Sequence, residues 1–442
     1  MTAAQVVVVG AGMSGLVAAR QLVRAGLEVV VVEAADRVGG RMLTRTSALG
    51  SRLDLGGQWI GAGHRRFTDL ADELGTTRFQ MHTPKTPVIV DRAGQVLPIA
   101  SPTVLAAGAA VLAAESAARL PFPTTGTVRS AIDRLPSAGA RRLLEVLIEV
   151  ATTGAPDRLS MDGLTGVISA LGGLNSMLRT RGGAQDSLIA EGAGELPERL
   201  AAQLTRDRPD RIRLDTRVTA IADDGEGVTV ETTTGSIRAA RVVVTVPAPM
   251  LDGVEFTPPL PDEQQAAIGA TAMGSVYKAI AVYPDPFWRK ETSATGGHAE
   301  FVLLDAPGVA TFDSSSPDGP GHLCLLVGGP DAHALDDLTP QARRDLLLNR
   351  LVPLLGEQVA APVDWHERSW HLDDFAGGGY MTLPAPGTRA GHVPLPHAPA
   401  ARIHWAGTER SESKPGYSYI EGAIAAGERA AGEVISSLSA SG

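Results

Sequence analysis

Two unbroken apolar blocks, Val6–Val9 and Val29–Val32, lie near the start of the chain, and between them Leu16–Arg24 repeats its apolar positions at helical spacing. Strands without polar alternation are buried on both faces, so this pattern predicts a β-α-β unit with parallel strands. From Val104 to Leu178 the chain is rich in Ala and Leu at helical spacing, including Ala140–Val150, and reads as a helical insertion. Past Arg211 the texture changes to short β-branched runs, Ile212–Leu214, Val228–Thr232 and Arg241–Val246. Gly225 and Gly235 punctuate them as in an antiparallel ribbon. Proline-rich turns at Thr257–Pro261, Ser316–Gly321 and Pro394–Pro399 suit crossings between domains. A helix from about Tyr419 to Ser437 closes the pattern.

Length changes this picture first: 442 residues exceed what one hydrophobic core supports, so two domains, or one with a large insertion, are expected. Apolar residues at 44% and charged residues at 20% suit a globular chain. The net charge of −10 argues against a nucleic-acid partner, which would need a basic face. A single cysteine, Cys324, allows no intramolecular disulfide and no cysteine-rich metal site, and the expected setting is cytoplasmic. No membrane segment is expected. Met1–Ala19 lacks a basic leader region, Pro98 and Pro102 break Gly94–Ala114, and Ser436–Gly442 is mostly small and polar. His366 and His371 are five residues apart, not the four that would share a helix face, so no metal is expected there. The G-x-S-x-G elbow of acyl hydrolases does not occur.

The chemistry begins at Gly10-Ala11-Gly12-Met13-Ser14-Gly15, a G-x-G-x-x-G match. With 50 glycines in the chain, chance alone would supply roughly half to one such match, so context must decide. Here the motif ends a valine strand, opens a helix, and is followed by a second strand ending in Glu33, 18 residues past Gly15. Such glycines let backbone approach a pyrophosphate at a helix N-terminus, while the carboxylate accepts hydrogen bonds from a ribose. Next come Arg37-Val38-Gly39-Gly40-Arg41 and Gly56-Gly57-Gln58-Trp59-Ile60-Gly61. Glycine pairs and arginines this close to the carboxylate suit a long ligand's phosphates, the alternative being that Arg37 and Arg41 are solvated loop charges.

With further blocks added, the chain resembles the flavin-containing amine oxidase family, that of the monoamine and polyamine oxidases, over nearly its whole length. Besides Val6–Arg41 and Gly56–Gly61, the resemblance rests on Gly182-Gly183-Ala184-Gln185, Glu191-Gly192-Ala193-Gly194 and Met273-Gly274-Ser275-Val276-Tyr277-Lys278. Pro286–Lys290, Gly377-Gly378-Gly379-Tyr380, Trp405-Ala406-Gly407-Thr408-Glu409 and Tyr419–Arg429 complete it. It implies an α/β fold: a Rossmann-type, glutathione-reductase-like FAD-binding domain with an interleaved α+β substrate-binding domain. The FAD-binding domain would comprise 1–78, 190–268 and 373–442, and the substrate-binding domain 79–189 and 269–372.

By the same resemblance, FAD would be held by Gly10, Gly12, Met13, Ser14, Gly15, Glu33, Ala34, Gly40, Arg41, Gly56, Gly57, Gln58 and Trp59. Val218 would meet its adenine end, while Gly407, Glu409, Tyr419, Ile420 and Ala423 would lie toward the ribityl chain and ring. Lys278 matches the family lysine that holds a water against flavin N5. Tyr380 and Tyr419 match the two rings that sandwich the amine, and Gln185, Leu178 and Trp59 would line the substrate cavity. Tyr417, in a loop longer than that of the monoamine oxidases, is a second candidate for Tyr419's role.

The residue types make chemical sense on their own. Losing a hydride from the carbon next to nitrogen requires a neutral amine, whose lone pair stabilises the developing iminium, and an aromatic cage favours that neutral form. Burial can lower the pKa of a lysine and let it orient water. Gly379 stands where covalent-flavin members carry a cysteine, so FAD is expected to be noncovalent. Gln58-Trp59 replaces the Met-Arg pair of the amino-acid oxidases, which favours an amine without an α-carboxylate, although Arg65, Arg66 and Arg179 offer other grips. Glu191 and Glu412 are the candidates for a polyamine's second charge. The expected reaction converts a small-molecule amine and O2 to an imine, then an aldehyde or ketone, and H2O2. The rivals are an amino-acid or natural-product amine oxidase, and an FAD dehydrogenase or isomerase. A homodimer is left open.

Overall fold

The computed structural model describes residues 2–83, 87–119, 125–173, 176–177, 179–289, 301–386 and 393–440. Leu178 lies outside them. The opening β-α-β unit forms as its valines dictate: Thr2–Val9, helix Met13–Arg24 and Val29–Val32, the strands pairing in parallel from Val6 with Val29 to Val9 with Val32. On its other side the first strand pairs in parallel with Gly235–Val244, which in turn takes Ile403–Trp405 as a parallel neighbour. These are the middle of an eight-stranded sheet. The ribbon appears as Val218–Asp223, Val228–Thr232 and Gly235–Val244, antiparallel throughout.

Ile212–Arg213 is not part of that ribbon; it pairs in parallel with Val31 and Val32 at the far side of the sheet. Short β-branched runs look alike in sequence, and the partner was chosen by the chain's return past Val29–Val32. Likewise, Arg241–Val244 does double duty, ending the ribbon and entering the parallel sheet. Against this sheet pack Met13–Arg24, Glu195–Thr205 and the closing helix Ile420–Ser439, sharing a core of Leu16, Leu22, Val243, Leu200, Ile424 and Val434.

A second sheet of six strands runs Asp364–Ser369, Val276–Tyr283, Gly321–Gly328, Gly308–Asp313, Phe301–Asp305, Val88–Val90. All eight residues of Val276–Tyr283 are buried, because the sheet is covered on both faces by separate apolar clusters. Lys278 sits mid-strand, opposite Leu326 on one side and Arg368 on the other. The Ala- and Leu-rich region forms helices Pro102–Ala117, Val128–Ile132, Ala138–Thr152 and Met161–Ala170, each entered through a Ser or Thr whose hydroxyl accepts a backbone N–H. Among the described residues no helix is long and apolar enough to cross a membrane.

Candidate active site

A cavity of about 600 Å³ runs from the glycine motif to the second sheet, within the range of ligand pockets. Its first wall is Gly10, Gly12, Met13 and Ser14. Gly10 has φ of +103°, and a Cβ there would meet Thr245 Oγ1 at 2.4 Å; a Cβ on Gly15 would lie 2.0 Å from the Gly10 carbonyl oxygen. Gly12, by contrast, has nothing within 4 Å of where its Cβ would be, so its missing side chain leaves room for a ligand. The helix that begins here has no side-chain cap, and neither does Ile420–Ser439, whose Tyr419, Ile420 and Ala423 line the same cavity. Two uncapped helix N-termini facing one cleft suit an extended anionic ligand.

Glu33 lines the cavity at the end of its strand, its oxygens accepting from Ala11 N–H (2.6 Å) and Ala35 N–H (2.9 Å). Burial raises its pKa, and those two amides and Arg37 oppose the rise. Ala34, Gly40, Arg41, Gly56, Gly57 and Val218 line it as well. The arginines are neither free phosphate clamps nor solvated charges. Arg37 donates to the carbonyls of Val38, Gly40 and Met42, bracing its own loop. Arg41 makes a two-pronged pair with Glu409 (2.6 and 3.1 Å) and also donates to the Tyr380 carbonyl at 2.8 Å. Burial opposes ionisation of Glu409, but Arg41 wins and holds its carboxyl below the usual range.

Two of the sequence-derived cofactor residues therefore stand behind the wall. Gly15 packs on Gly10, and Glu409 is engaged by Arg41, whereas Gly407 is in the lining.

At the other end, Lys278 is 3% exposed, and its Nζ donates to Gly56 O at 2.9 Å and to Gln58 Oε1. The Trp59 ring centroid lies 5.2 Å from Nζ. Burial pushes this lysine's pKa down, with Cys324 and Asp54 pulling weakly the other way. Gln58 Nε2 has no hydrogen-bond partner among the described residues, while its amide side chain stands beside the Cys324 thiol. Gln185, Trp59, Tyr380 and Tyr419 all line the cavity with Lys278. Tyr417 does not. It is fully buried, its hydroxyl donating to Thr382 O at 2.8 Å. Among the described residues Tyr419 Oη has no partner, and its ring tilts against His64 with centroids 4.7 Å apart. Burial drives the His64 imidazole down to about 4, so it is neutral, and its Nδ1 accepts from Gly61 N–H.

Thr153 escaped the sequence reading. It ends helix Ala138–Thr152 in the left-handed region (φ +62°), and its hydroxyl donates to Gly379 O (2.6 Å) and accepts from Tyr380 N–H (3.2 Å). No motif marks a threonine after a helix, so only the 226-residue contact reveals it.

A model of the flavin containing amine oxidoreductases matches residues 13–435. The chain belongs to that family. AofH of Mycobacterium tuberculosis, assigned by name to the flavin-containing monoamine oxidases, is 35% identical over 455 residues, covering 98% of this chain and 97% of its own. Amine oxidase [flavin-containing] B of Sus scrofa is 30% identical, with 98% and 86% covered. The cyclohexylamine oxidase of Brevibacterium oxydans IH-35A superposes with a TM-score of 0.91 at 29% identity, over 99% of both chains. Wild-type putrescine oxidase bound to putrescine does so with 0.85 at 26%, over 98% of this chain and 99% of the other.

The expected α/β architecture is thus borne out, and this flavin-dependent amine oxidase acts on CH–NH2 donors. The family implies FAD, and the cavity fits it: the open space at Gly12, the two bare helix ends and the carboxylate of Glu33 match the needs of pyrophosphate and ribose.

Proposed function

We propose that this amine oxidase binds FAD noncovalently and oxidises monoamines with an apolar body, lacking both an α-carboxylate and a second amine. The observation that carries this reading is the wall beside Lys278, Trp59 and Gln185. Leu147, Val150, Leu171, Phe301, Phe312 and Leu326 line it, with Phe312 edge-on to Trp59 at 5.2 Å. Of the charged lining residues besides Lys278, Glu33, Asp36, Arg37, Arg41 and Arg217 belong to the cofactor loops, Arg368 pairs with Asp373, and Asp374 is exposed. Arg66, a candidate carboxylate grip, pairs with Glu421 and Glu428, and Glu191, a candidate polyamine contact, accepts from Thr77. A free carboxylate or ammonium in this apolar wall would go unpaired, at a cost above the roughly 2–7 kcal/mol of an unpaired neutral polar group.

The roles we assign follow from the same geometry. A substrate amine is mostly protonated at neutral pH, and the apolar wall and the rings of Tyr380 and Tyr419 favour the form that has lost its proton. Its lone pair can then form the C=N bond as the α-carbon gives up hydrogen with the C–H electron pair; the imine takes up water to give an aldehyde or ketone and ammonia. FAD, when bound, would supply the two-electron acceptor, with O2 as the terminal acceptor that leaves as H2O2. Lys278, whose pKa burial lowers, directs two N–H bonds at Gly56 O and Gln58 Oε1, and the remaining position on its Nζ would hold a water. Gly379, where a flavin-linking cysteine would stand, supports noncovalent binding.

The test is anaerobic mixing of the purified holoenzyme with apolar monoamines, putrescine, spermidine and L-amino acids, following bleaching of the flavin band. Apolar monoamines should reduce it at least about tenfold faster than the rest, the discrimination given by roughly 1.4 kcal/mol. Faster reduction by diamines or amino acids overturns the reading. Acid precipitation should leave the yellow colour in the supernatant; colour in the pellet would mean a covalent link.

A further inference from the structure

Away from the cavity, helix Gly329–Asp336 carries His333 and Asp336 three residues apart and therefore on one face. The short turn Trp370–Leu372, which follows strand Asp364–Ser369, brings His371 against them. We propose that His333, Asp336 and His371 bind a divalent transition-metal ion of the Zn²⁺ type. One ligating atom from each lies within 4.8 Å of the other two. His371 Nε2 is 2.6 Å from Asp336 Oδ2, His333 Nδ1 is 3.9 Å from the same oxygen, and the two rings are 4.4 Å apart. Ligand atoms around Zn²⁺ sit about 3.3 Å from one another, from bond lengths of roughly 2.0–2.2 Å. His333 supplies the adjustment, being 60% exposed on its helix, and its open side leaves a coordination position for water.

The surroundings distinguish this trio from a chance meeting of polar groups. Two of the three atoms that would not touch metal are already held: His333 Nε2 bonds Ser275 Oγ at 2.8 Å, and Ser369 Oγ donates to Asp336 Oδ1 at 2.7 Å. With His333 Nε2 as the donor to Ser275 Oγ its Nδ1 is bare, and the Ser369 bond turns Oδ2 toward the imidazoles, the outer-shell arrangement that orients metal ligands. The donor set, two imidazoles and one carboxylate, suits Zn²⁺ and its neighbours and not Mg²⁺ or Ca²⁺, which want all-oxygen shells. His371 is 4% exposed and turns its Nε2 to Asp336, while its Nδ1, on the other side of the ring, has no partner among the described residues. The competing explanation is a hydrogen-bonded staple between helix and turn. A staple needs only Asp336, Ser369 and His371, whereas a metal site also needs His333.

FAD-loaded enzyme, stripped with a chelator, should be titrated with ZnCl2 by calorimetry alongside His333→Ala and Ser369→Ala, with flavin absorbance and melting midpoint confirming that each is folded. The parent should take up one zinc equivalent more tightly than any background sites. His333→Ala should lose it, and Ser369→Ala should weaken it by about 10-fold or more, the usual effect of removing an outer-shell partner. MgCl2 should give no such equivalent. A parent without that equivalent, or either variant keeping the parent's affinity, overturns the proposal.

Discussion

Single atoms decide how the cage tyrosine and the buried lysine are held. The Thr153 hydroxyl satisfies the carbonyl and the N–H of the Gly379–Tyr380 peptide together. Thr153→Val keeps the side chain's shape but leaves both groups unpaired, at a cost of about 1–3 kcal/mol. We expect kcat to fall about tenfold with FAD absorbance unchanged and Thr153→Ser restoring it; a fall in flavin content instead would mean that the hydroxyl holds the fold and not the ring. For Lys278→Met we expect slower flavin reoxidation with the yellow colour retained. The sign of its stability effect follows from its lowered pKa: the unfolded chain holds a proton that the folded lysine resists. The folded state is therefore penalised at neutral pH and relieved only as pH rises toward the ordinary lysine range. Lys278→Met should raise the melting midpoint at pH 7, and a drop would mean that its bonds to Gly56 and Gln58 outweigh the burial.

Elements supply one another's missing caps. Helix Arg65–Glu73 begins at His64, which offers no side-chain cap, and the role passes to Glu421 on the closing helix. Its two oxygens accept from Arg66 N–H (3.2 Å) and Phe67 N–H (2.8 Å), 355 and 354 residues away in sequence. Glu421→Ala should cost about 1–2 kcal/mol, as loss of an N-cap does, and chemical denaturation of the holoenzyme will read it; an unchanged midpoint would show the amides rehydrated at no cost. The same contact sets the entry of Ile420–Ser439, so this variant should also loosen FAD binding. The closing helix was legible from spacing, but helix Arg65–Glu73 and this cap were not, because a local capping rule looks only a few residues ahead.

Over the whole molecule, buried titratable groups pull in opposite directions on acidification. Burial puts His64 and His322 both at about 4, and so between pH 6.5 and 4 the unfolded chain takes up two protons that the folded one refuses. Stability from these residues is complete above pH 6.5 and lost on descending through that window. Burial pushes Glu149 up to about 7 despite Arg142, so its contribution is complete below about 4.5 and lost as pH rises toward 7. Glu149→Gln should therefore steepen the rise in stability between pH 4.5 and 6.5, measured as denaturant midpoints of the holoenzyme. A parallel pair of profiles would mean that Glu149 titrates normally.

The sequence by itself determined the parallel β-α-β opening, the glycine cradle and the ribbon's middle strand Val228–Thr232, because each depends on residues within a few positions of one another: four valines, three glycines, a turn. Family blocks then sufficed to name Lys278, Tyr380 and Tyr419 and to single out the wall residues around them. Only the tertiary structure decided between Tyr417 and Tyr419 for the cavity wall, since two tyrosines two residues apart differ only in which one finds a buried acceptor, here Thr382. It also tied Arg41 to Glu409, set Thr153 behind Tyr380, and drew His333 to His371. These contacts join segments tens to hundreds of residues apart, and no local periodicity records which distant partner closes a hydrogen bond.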